Sequence, residues 1–365
     1  MYCRGHQNGT VLTLSPNGDD LCSHLPEELI VEILLRLPVR SLLQLKCICK
    51  LWKTLVSDSK FVKRHLQIST VEPNLIHQRL FFYHLGEPCK ILHIPLKTLF
   101  GHLLPPVSSS GMTKHPYWII GSCNGLLCLY DRTRHCVKLF NPSIMFKSKK
   151  SPSAFSLDWM IRHHGFGYDQ VNDKYKVLLV MRNKNDPSQP LTKIYTFGED
   201  SWKIIQNLPG YPQVYLGKFV SGTLNWIAGK RGVILSFDFE KETYKEVLFP
   251  QDDGDNETLY VLNDCLGVCH VSNKTNWIAW LMKEYGVVES WTKFMIISLD
   301  KFNKQPSSVI PTFVSKNVVL LKNEYTSQFI RYNLSSGQLD YLLKSTNNIR
   351  INLHICYESL VSLPW

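Results

Sequence analysis

The run Gly121-Ser122-Cys123-Asn124-Gly125 sets a thiol between two glycines, the pattern of a nucleophile elbow with cysteine in the serine position. An elbow needs strand, sharp turn and helix. Here the apolar stretch Leu126–Tyr130 follows, which reads as a second strand, and Asn124-Gly125 is a strong two-residue hairpin signal. The reading is a hairpin. Cys265 and Cys269-His270 carry metal-ligating atoms, but residues four apart on a strand lie about 13 Å apart, and no second ligand pair has zinc spacing. Structural thiols are expected there. His163-His164 would point to opposite faces of an extended segment, and a loop position is expected for the pair. Asp252-Asp253-Gly254-Asp255-Asn256-Glu257 lacks the alternating oxygen positions of a calcium loop and reads as a solvated turn. No Walker loop, dinucleotide fingerprint or metalloprotease helix occurs. The expectation is a non-enzymatic chain with no catalytic residues, no metal site and no cofactor.

Composition narrows the classes further. Hydrophobic residues make up 44% and aromatics 12% of 365 residues, which suits a globular chain. No run approaches the roughly 18 to 20 continuous apolar residues that cross a bilayer, and the polar, Gly/Asn-rich first twenty residues do not read as a secretory signal. Eleven cysteines, an odd number, read as reduced thiols in the cytoplasm, the nucleus or both. The net charge of +11 invites a nucleic-acid reading, but the basic residues are dispersed, and nucleic acid is not expected as a partner. The dense run Lys147-Ser148-Lys149-Lys150 is expected to be a solvated loop. A second concentration lies at Arg36, Arg40, Lys46, Lys50, Lys53, Lys60, Lys63 and Arg64.

Three segments follow from the patterning: a flexible tail over 1–21, helices over 22–66, and a strand-rich remainder over 67–365. Pro26 suits a helix start, Glu27 and Glu28 complement the helix dipole, and Leu29, Ile30, Ile33, Leu34 and Leu37 repeat at helical spacing before Pro38. Ser41 with Gln44 reads as a capping box opening a second helix. Trp52 and Leu55 sit on a third, and Phe61, Val62 and Leu66 on a fourth turn. About 45 residues cannot bury all of this apolar surface internally; the rest of the chain or a partner must cover it.

Beyond Leu66 short apolar runs alternate with Gly, Pro, Asn and Asp, from Leu80–His84 to Ile351–Tyr357. Weak repeats occur. Asp200-Ser201-Trp202 returns as Glu289-Ser290-Trp291, and Asn225-Trp226-Ile227-Ala228 as Asn276-Trp277-Ile278-Ala279. Strands end in an aromatic then an acid or amide at Tyr130-Asp131, Phe237-Asp238 and Tyr332-Asn333. Units of roughly 40 to 50 residues fit propeller blades. The fold expected is mainly β, a small α-helical N-terminal unit followed by a β-propeller-like domain, its first and last strands in the same or adjacent blades.

Leu25-Pro26-Glu27-Glu28-Leu29-Ile30-Val31-Glu32-Ile33-Leu34-Leu35-Arg36-Leu37-Pro38-Val39-Arg40-Ser41-Leu42-Leu43 and Lys46-Cys47-Ile48-Cys49-Lys50-Leu51-Trp52 resemble the opening and closing segments of an F-box. Gly121–Cys128, Phe140-Asn141-Pro142-Ser143, Phe166-Gly167-Tyr168-Asp169, Gly222-Thr223-Leu224-Asn225-Trp226 and Tyr357-Glu358-Ser359-Leu360-Val361 resemble, in order, the F-box-associated or kelch-type domain of plant F-box proteins. The resemblance implies a substrate receptor of a cullin ubiquitin ligase. Leu25, Pro26, Leu29, Ile33, Leu34, Leu37, Pro38, Val39, Leu42, Leu43, Leu45, Cys47, Ile48 and Trp52 would then meet a Skp-family adaptor, itself held by a cullin. The propeller would hold a protein substrate. The basic excess of 36–64 would suit an acidic adaptor and raise its association rate. The alternative is an F-box protein in a non-ligase complex, or one reading a glycan or small ligand.

Overall fold

The computed structural model describes residues 26–71, 78–84, 90–100, 108–109, 117–210, 212, 214–250, 255–303, 306, 308–323, 328–342 and 354–362. The tail over 1–21, Leu25, 252–254 and 351–353 lie outside them; of the run expected to be a solvated turn, Asp255, Asn256 and Glu257 open a strand instead, paired with the strand that follows it.

Four helices open the described chain: α1 (Glu27–Leu35), α2 (Val39–Leu45), α3 (Lys50–Ser57) and α4 (Ser59–Val71). Pro26 and Pro38 each stand immediately before a helix in extended backbone, where a missing N–H costs nothing. The helix expected from Ser41 starts two residues earlier, at Val39, with no side-chain cap; the preset φ of Pro38 does the work assigned to a capping box. The carboxylate of Asp58 accepts the N–H groups of Lys60 and Phe61 at 2.9 and 3.1 Å and so caps α4. That helix runs on past Leu66 to Val71.

The strands form six four-stranded antiparallel sheets. Blade 1 holds β1 (Gln78–His84), β2 (Lys90–Pro95) and β3 (Ser108–Ser109). Blade 2 holds β4 (Tyr117–Cys123), β5 (Leu126–Asp131), β6 (Cys136–Asn141) and β7 (Phe146–Lys147). Blade 3 holds β8 (Trp159–Asp169), β9 (Lys174–Asn183), β10 (Pro190–Thr196) and β11 (Lys203–Ile205). Blade 4 holds β12 (Lys218–Val220), β13 (Thr223–Ile227), β14 (Val233–Asp238) and β15 (Thr243–Leu248). Blade 5 holds β16 (Asp255–Leu262), β17 (Cys265–Ser272), β18 (Asn276–Met282) and β19 (Trp291–Ser298). Blade 6 holds β20 (Val309–Ser315), β21 (Val318–Asn323), β22 (Phe329–Asn333) and β23 (Leu339–Tyr341). The last strand, β24 (His354–Tyr357), returns to blade 1 and pairs with β1, Leu80 opposite Ile355 and Phe81 opposite His354. The two ends of the domain share a blade, as expected, and the ring closes without an open sheet edge between its ends.

Apolar side chains fill the gaps between blades. Leu178, Val180 and Ile194 of blade 3 meet Leu224, Trp226 and Phe237 of blade 4. Trp277 and Met295 of blade 5 meet Val309, Val319 and Leu321 of blade 6. Leu320 and Phe329 of blade 6 meet Leu80, Leu96 and Leu99 by blade 1. Strands in the middle of a blade are buried on both faces, so β5 and β13 are buried throughout and read as continuous apolar runs.

Other sequence readings change as well. His163 and His164 lie in β8, not in a loop, beside a bulge between Ile161 and His163. The run 147–150 is partly structured: Lys147 ends β7, and Lys150 reaches Asp131 at 3.1 Å.

The repeats also sort by position. Trp202, beside β11, and Trp291, opening β19, stand at the outermost strands two blades apart. Their indole N–H groups donate to Pro152 and Leu248, carbonyls that follow or end the preceding blade. Asn225-Trp226 lies on the second strand of its blade and Asn276-Trp277 on the third, so that copy is not a blade repeat. The aromatic-acid endings are a turn device. Asp131, Asp238 and Asn333 each accept backbone N–H groups two and three residues on, and the residue four on has positive φ: His135, Glu242 and Gly337.

The helices sit on the propeller. Leu360, following β24, enters the helical core with Leu34, Leu35, Val39, Leu42, Val56 and Phe61. Val62 and Leu66 of α4 pack against the core between blades 2 and 3. Lys63 pairs with Asp173 in the β8–β9 turn at 2.7 Å. The fully buried amide of Asn141 donates to the carbonyls of Ser359 and Val361 at 2.9 and 2.8 Å, fixing the segment that carries Leu360. At the hairpin turn both Asn124 and Gly125 have positive φ, and a Cβ on Gly125 would fall 2.3 Å from that of Ser359.

Candidate functional site

Two regions of the molecule offer a surface or cavity on which recognition could act. The first is the outer face of the helices. Leu29 and Ile33 lie one turn apart on α1 and are 50% and 52% exposed; Ile48 and Leu51, around the start of α3, are 65% and 51% exposed. A residue four positions on shares the same helical face, so Leu29 and Ile33 form one apolar stripe. Pro26 and Cys47 are exposed as well, and Leu37, Pro38, Leu43, Leu45 and Trp52 are half-buried. Leu34, Val39 and Leu42 face the interior, at 3% exposure or less, in the cluster that Leu360 completes. These three hold the helices together, and a partner reaching this surface would meet their neighbours instead. Leu51 was missed because it falls inside the closing motif as an ordinary helical residue; only its exposure marks it.

Cations surround this stripe. Arg36, Arg40, Lys50, Lys53 and Lys60 are exposed, and Lys46 is half-buried, its pKa lowered by burial and by Lys53. Arg64 is engaged by Glu32 and Lys63 by Asp173. The remaining charge is free to act on the approach of a partner.

The second region is the propeller's central channel. β24, β4, β8, β12, β16 and β20 stand at the inner edges of the blades and neighbour one another around the ring. They surround a cavity of about 1180 Å³, roofed on one side by α4 through Val62, Lys63, Leu66, Gln67 and Thr70. Lys218, Lys322, His354, Asp264, Cys123 and Tyr357 are among its lining residues. Burial holds the Asp264 carboxyl above its ordinary value. The Cys123 thiol is pushed up by burial, then by Asp264 and Cys356. A thiol held protonated is a poor nucleophile, and Cys123 ends a strand that turns into another strand. The elbow reading therefore has neither the geometry nor the thiolate. Cys269 is buried on β17, its thiol against the carbonyls of Thr258 and Val309. Among the described residues no three His, Cys, Asp or Glu side chains gather as metal ligands, and no helix is long and apolar enough to cross a membrane.

Family comparison agrees with this architecture. Residues 22–64 match the F-box domain and residues 100–363 the F-box associated beta propeller domain. An F-box/kelch-repeat protein of Arabidopsis thaliana is 30% identical over 341 residues, spanning 87% of this chain and 90% of the relative. F-box protein CPR1 of the same plant is 26% identical over 361 residues, spanning 87% and 84%. Among solved structures, TolB from Acinetobacter baumannii superposes with a TM-score of 0.46 at 11% identity, over 82% of this chain and 73% of that one. The chain belongs to the plant F-box proteins that carry an F-box-associated β-propeller domain.

Proposed function

We propose that this F-box protein is the substrate-recognition subunit of a cullin ubiquitin ligase, and that it acts by binding and not by catalysis. The stripe of Leu29 and Ile33, half-exposed on a helix that buries Leu34 and Leu35 on its other side, carries the reading. Two half-exposed aliphatic side chains forgo about half of the roughly 1.5 to 3 kcal/mol that full burial of each is worth, which a Skp-family adaptor would recover by covering them. The exposed cations nearby would speed encounter with an acidic partner.

Strand order assigns the two propeller faces. Turns joining first to second strands, with α4 and the Leu360 segment, lie on one face; connections between blades lie on the other. With the first face occupied by the F-box, the second is left for a protein target. It presents Leu157, Met160 and Tyr215 as exposed apolar side chains on blades 3 and 4. The test is adaptor affinity of the full chain and of the Leu29→Asp/Ile33→Asp variant, with ubiquitin transfer assayed in the assembled ligase. At least about tenfold weaker adaptor binding, or 1.4 kcal/mol, with an unchanged melting temperature is expected. Equal affinity would reject the assigned surface. Proteins that accumulate on the wild type under proteasome inhibition, and are lost from Leu157→Ser/Tyr215→Ser, would be its targets.

A further inference from the structure

Charge on the propeller face away from the F-box gathers at blades 2 and 3. In an antiparallel blade the turn between second and third strands lies at the end opposite the first turn. The β5–β6 and β9–β10 turns therefore share the face of the inter-blade connections. This end of the two blades carries Arg132, Arg134, Arg162, Arg182 and Lys184, against the carboxylates of Asp158 and Asp186. Asp131 is already paired with Lys150. The carboxylate of Asp186 accepts hydrogen bonds from Ser188 and Gln189 of its own turn.

Three of these cations are held in place without being cancelled. Arg132 lies over the Trp118 ring, 4.4 Å from its centroid. Arg182 Nε donates to the carbonyl of Pro187 at 3.1 Å, and Lys184 Nζ to that of Leu157 at 2.6 Å. A ring face or a neutral carbonyl orients a cation and leaves its charge whole. Lys184 also acts across the blades: after burial, its charge helps to lower the pKa of His135 in the β5–β6 turn. Apolar side chains stand among these charges. Met160 is the register partner of Arg182, so the two share one face of blade 3. Leu157, whose carbonyl holds Lys184, is 75% exposed.

We propose that this surface binds an acidic segment of a partner protein that carries an aliphatic side chain among its carboxylates, with Arg182 and Lys184 meeting the carboxylates and Leu157 and Met160 the aliphatic group. The proposal rests on the reading of this face as the target surface, and names the chemistry that the surface selects. Apolar anchors supply most of the holding energy; the cations around them steer the approach and reject a basic segment. Charges separated by more than about 8 Å are largely screened at physiological salt. The surface therefore reads the local sequence of the segment, not the net charge of its owner. A nucleic acid would engage the cations and leave Leu157 and Met160 wet.

The test titrates the full chain, without adaptor, against three labelled peptides: leucines flanked by glutamates, the same with glutamines, and the glutamate peptide with serine for leucine. Single-stranded oligothymidylate is a further probe. The glutamate–leucine peptide should bind at least about tenfold tighter than either of the others, and less tightly as salt rises. Lys184→Glu should weaken it about tenfold and improve the binding of a lysine-flanked peptide. Lys241→Glu makes the same charge change at an exposed position in the β14–β15 turn, on the F-box face, and should alter neither. Leu157→Ser should narrow the preference for leucine over serine. Should a variant not fold, the salt dependence and the peptide order on the wild type supply the reading. Peptides that bind alike or not at all, equal losses in Lys184→Glu and Lys241→Glu, or oligothymidylate binding with no effect of leucine would overturn the proposal. Adaptor affinity is measured on the same protein. Adaptor binding without peptide binding rejects this proposal alone, and peptide binding without adaptor binding rejects the ligase reading alone.

Discussion

The propeller and the F-box solve the same problem in opposite ways. Each is a set of elements with more apolar surface than one element can hide. The propeller hides its surplus by closure: six blades face one another in a ring, and β24 pairs with β1 to join the ends. The F-box stays open. Its inner side is finished by a residue from the far end of the chain, Leu360, while Leu29 and Ile33 remain in water. Closure buries the surplus within the ring; openness leaves part of it exposed. The apolar excess in the first segment is thus divided, part covered by the chain itself and part left in water.

The largest expected effect comes from opening the ring. Deleting residues 350–365 removes β24 from blade 1, the partners of Asn141 and the side chain of Leu360 at once. The expected loss is several kcal/mol, a large part of the roughly 5 to 15 kcal/mol of a typical domain. Expression followed by limited proteolysis checks it. A soluble, resistant core with an unchanged melting temperature would mean that closure contributes little.

A smaller change separates the two sides of the F-box. Leu360→Ala should cost about 2 to 5 kcal/mol, since it leaves a cavity among Leu34, Leu42 and Phe61. Leu29→Ala should change stability by no more than about 0.5 kcal/mol, yet weaken adaptor binding. Chemical denaturation and adaptor titration on both variants measure the contrast. If Leu360→Ala proved silent in stability, the helices would be finishing their core without the C-terminal segment. For the same reason the isolated segment 1–66, lacking Leu360, is expected to be poorly folded and to gain order on adding adaptor.

Acid should destabilise the propeller. His354 and His164 are held down to about 3 and about 4, each chiefly by burial, then by Lys322, Lys218 and His164 for the first and His163 for the second. Unfolded, both would titrate near about 6.5. Below that pH the unfolded chain binds protons that the folded chain refuses, so stability falls as pH drops from about 6.5 toward 4 and levels off once the folded rings protonate. Asp264, raised by burial, works in the opposite sense, because its folded form holds a proton the unfolded form releases. Two histidines thus act in the destabilising sense against one aspartate in the other. Melting temperatures between pH 7 and about 4.5 should fall for the wild type and fall less for His354→Gln. Parallel slopes would mean that His354 does not titrate with unfolding.

How much of this was legible in the sequence follows from the same contrast. Strands buried on both faces, such as β5, β13 and β14, announce themselves as unbroken apolar runs. The outer strand β15, Thr243-Tyr244-Lys245-Glu246-Val247-Leu248, is mostly exposed and reads as polar chain. The inner strand β8 carries His163, His164 and two glycines, and its extended form is fixed by pairing with β9 along its length. Pairing is a tertiary fact and leaves no local pattern. In the F-box, spacing identified the helices but not which aliphatic residues turn inward, because Leu360 lies some three hundred residues away from the core it completes. The channel was invisible for that reason too: Lys218, Lys322 and His354 line one cavity only because blades 4, 6 and 1 close around it. Asn141 stood inside a recognised motif, yet its role appears only with the two carbonyls it holds.

The smallest expected effect tests whether the two bodies are held at one angle. Lys63 of α4 and Asp173 of the β8–β9 turn meet at 2.7 Å, with both side chains more than half exposed. The carboxyl of Asp173 is lowered chiefly by this lysine and then by Tyr168. An exposed pair of this kind contributes about 0 to 1 kcal/mol, less in salt. Lys63→Ala should therefore leave the melting temperature nearly unchanged, because Leu360, Val62 and Leu66 still hold the F-box on the propeller through apolar contact. If the pair nevertheless sets orientation, its loss should widen the range of distances between a label on Lys50 and one on Lys230, measured by paired spin labels, with stability unaltered. A narrow, unshifted distribution would show that packing alone fixes the geometry. A large fall in melting temperature would show instead that the apolar junction is weaker than its burial implies.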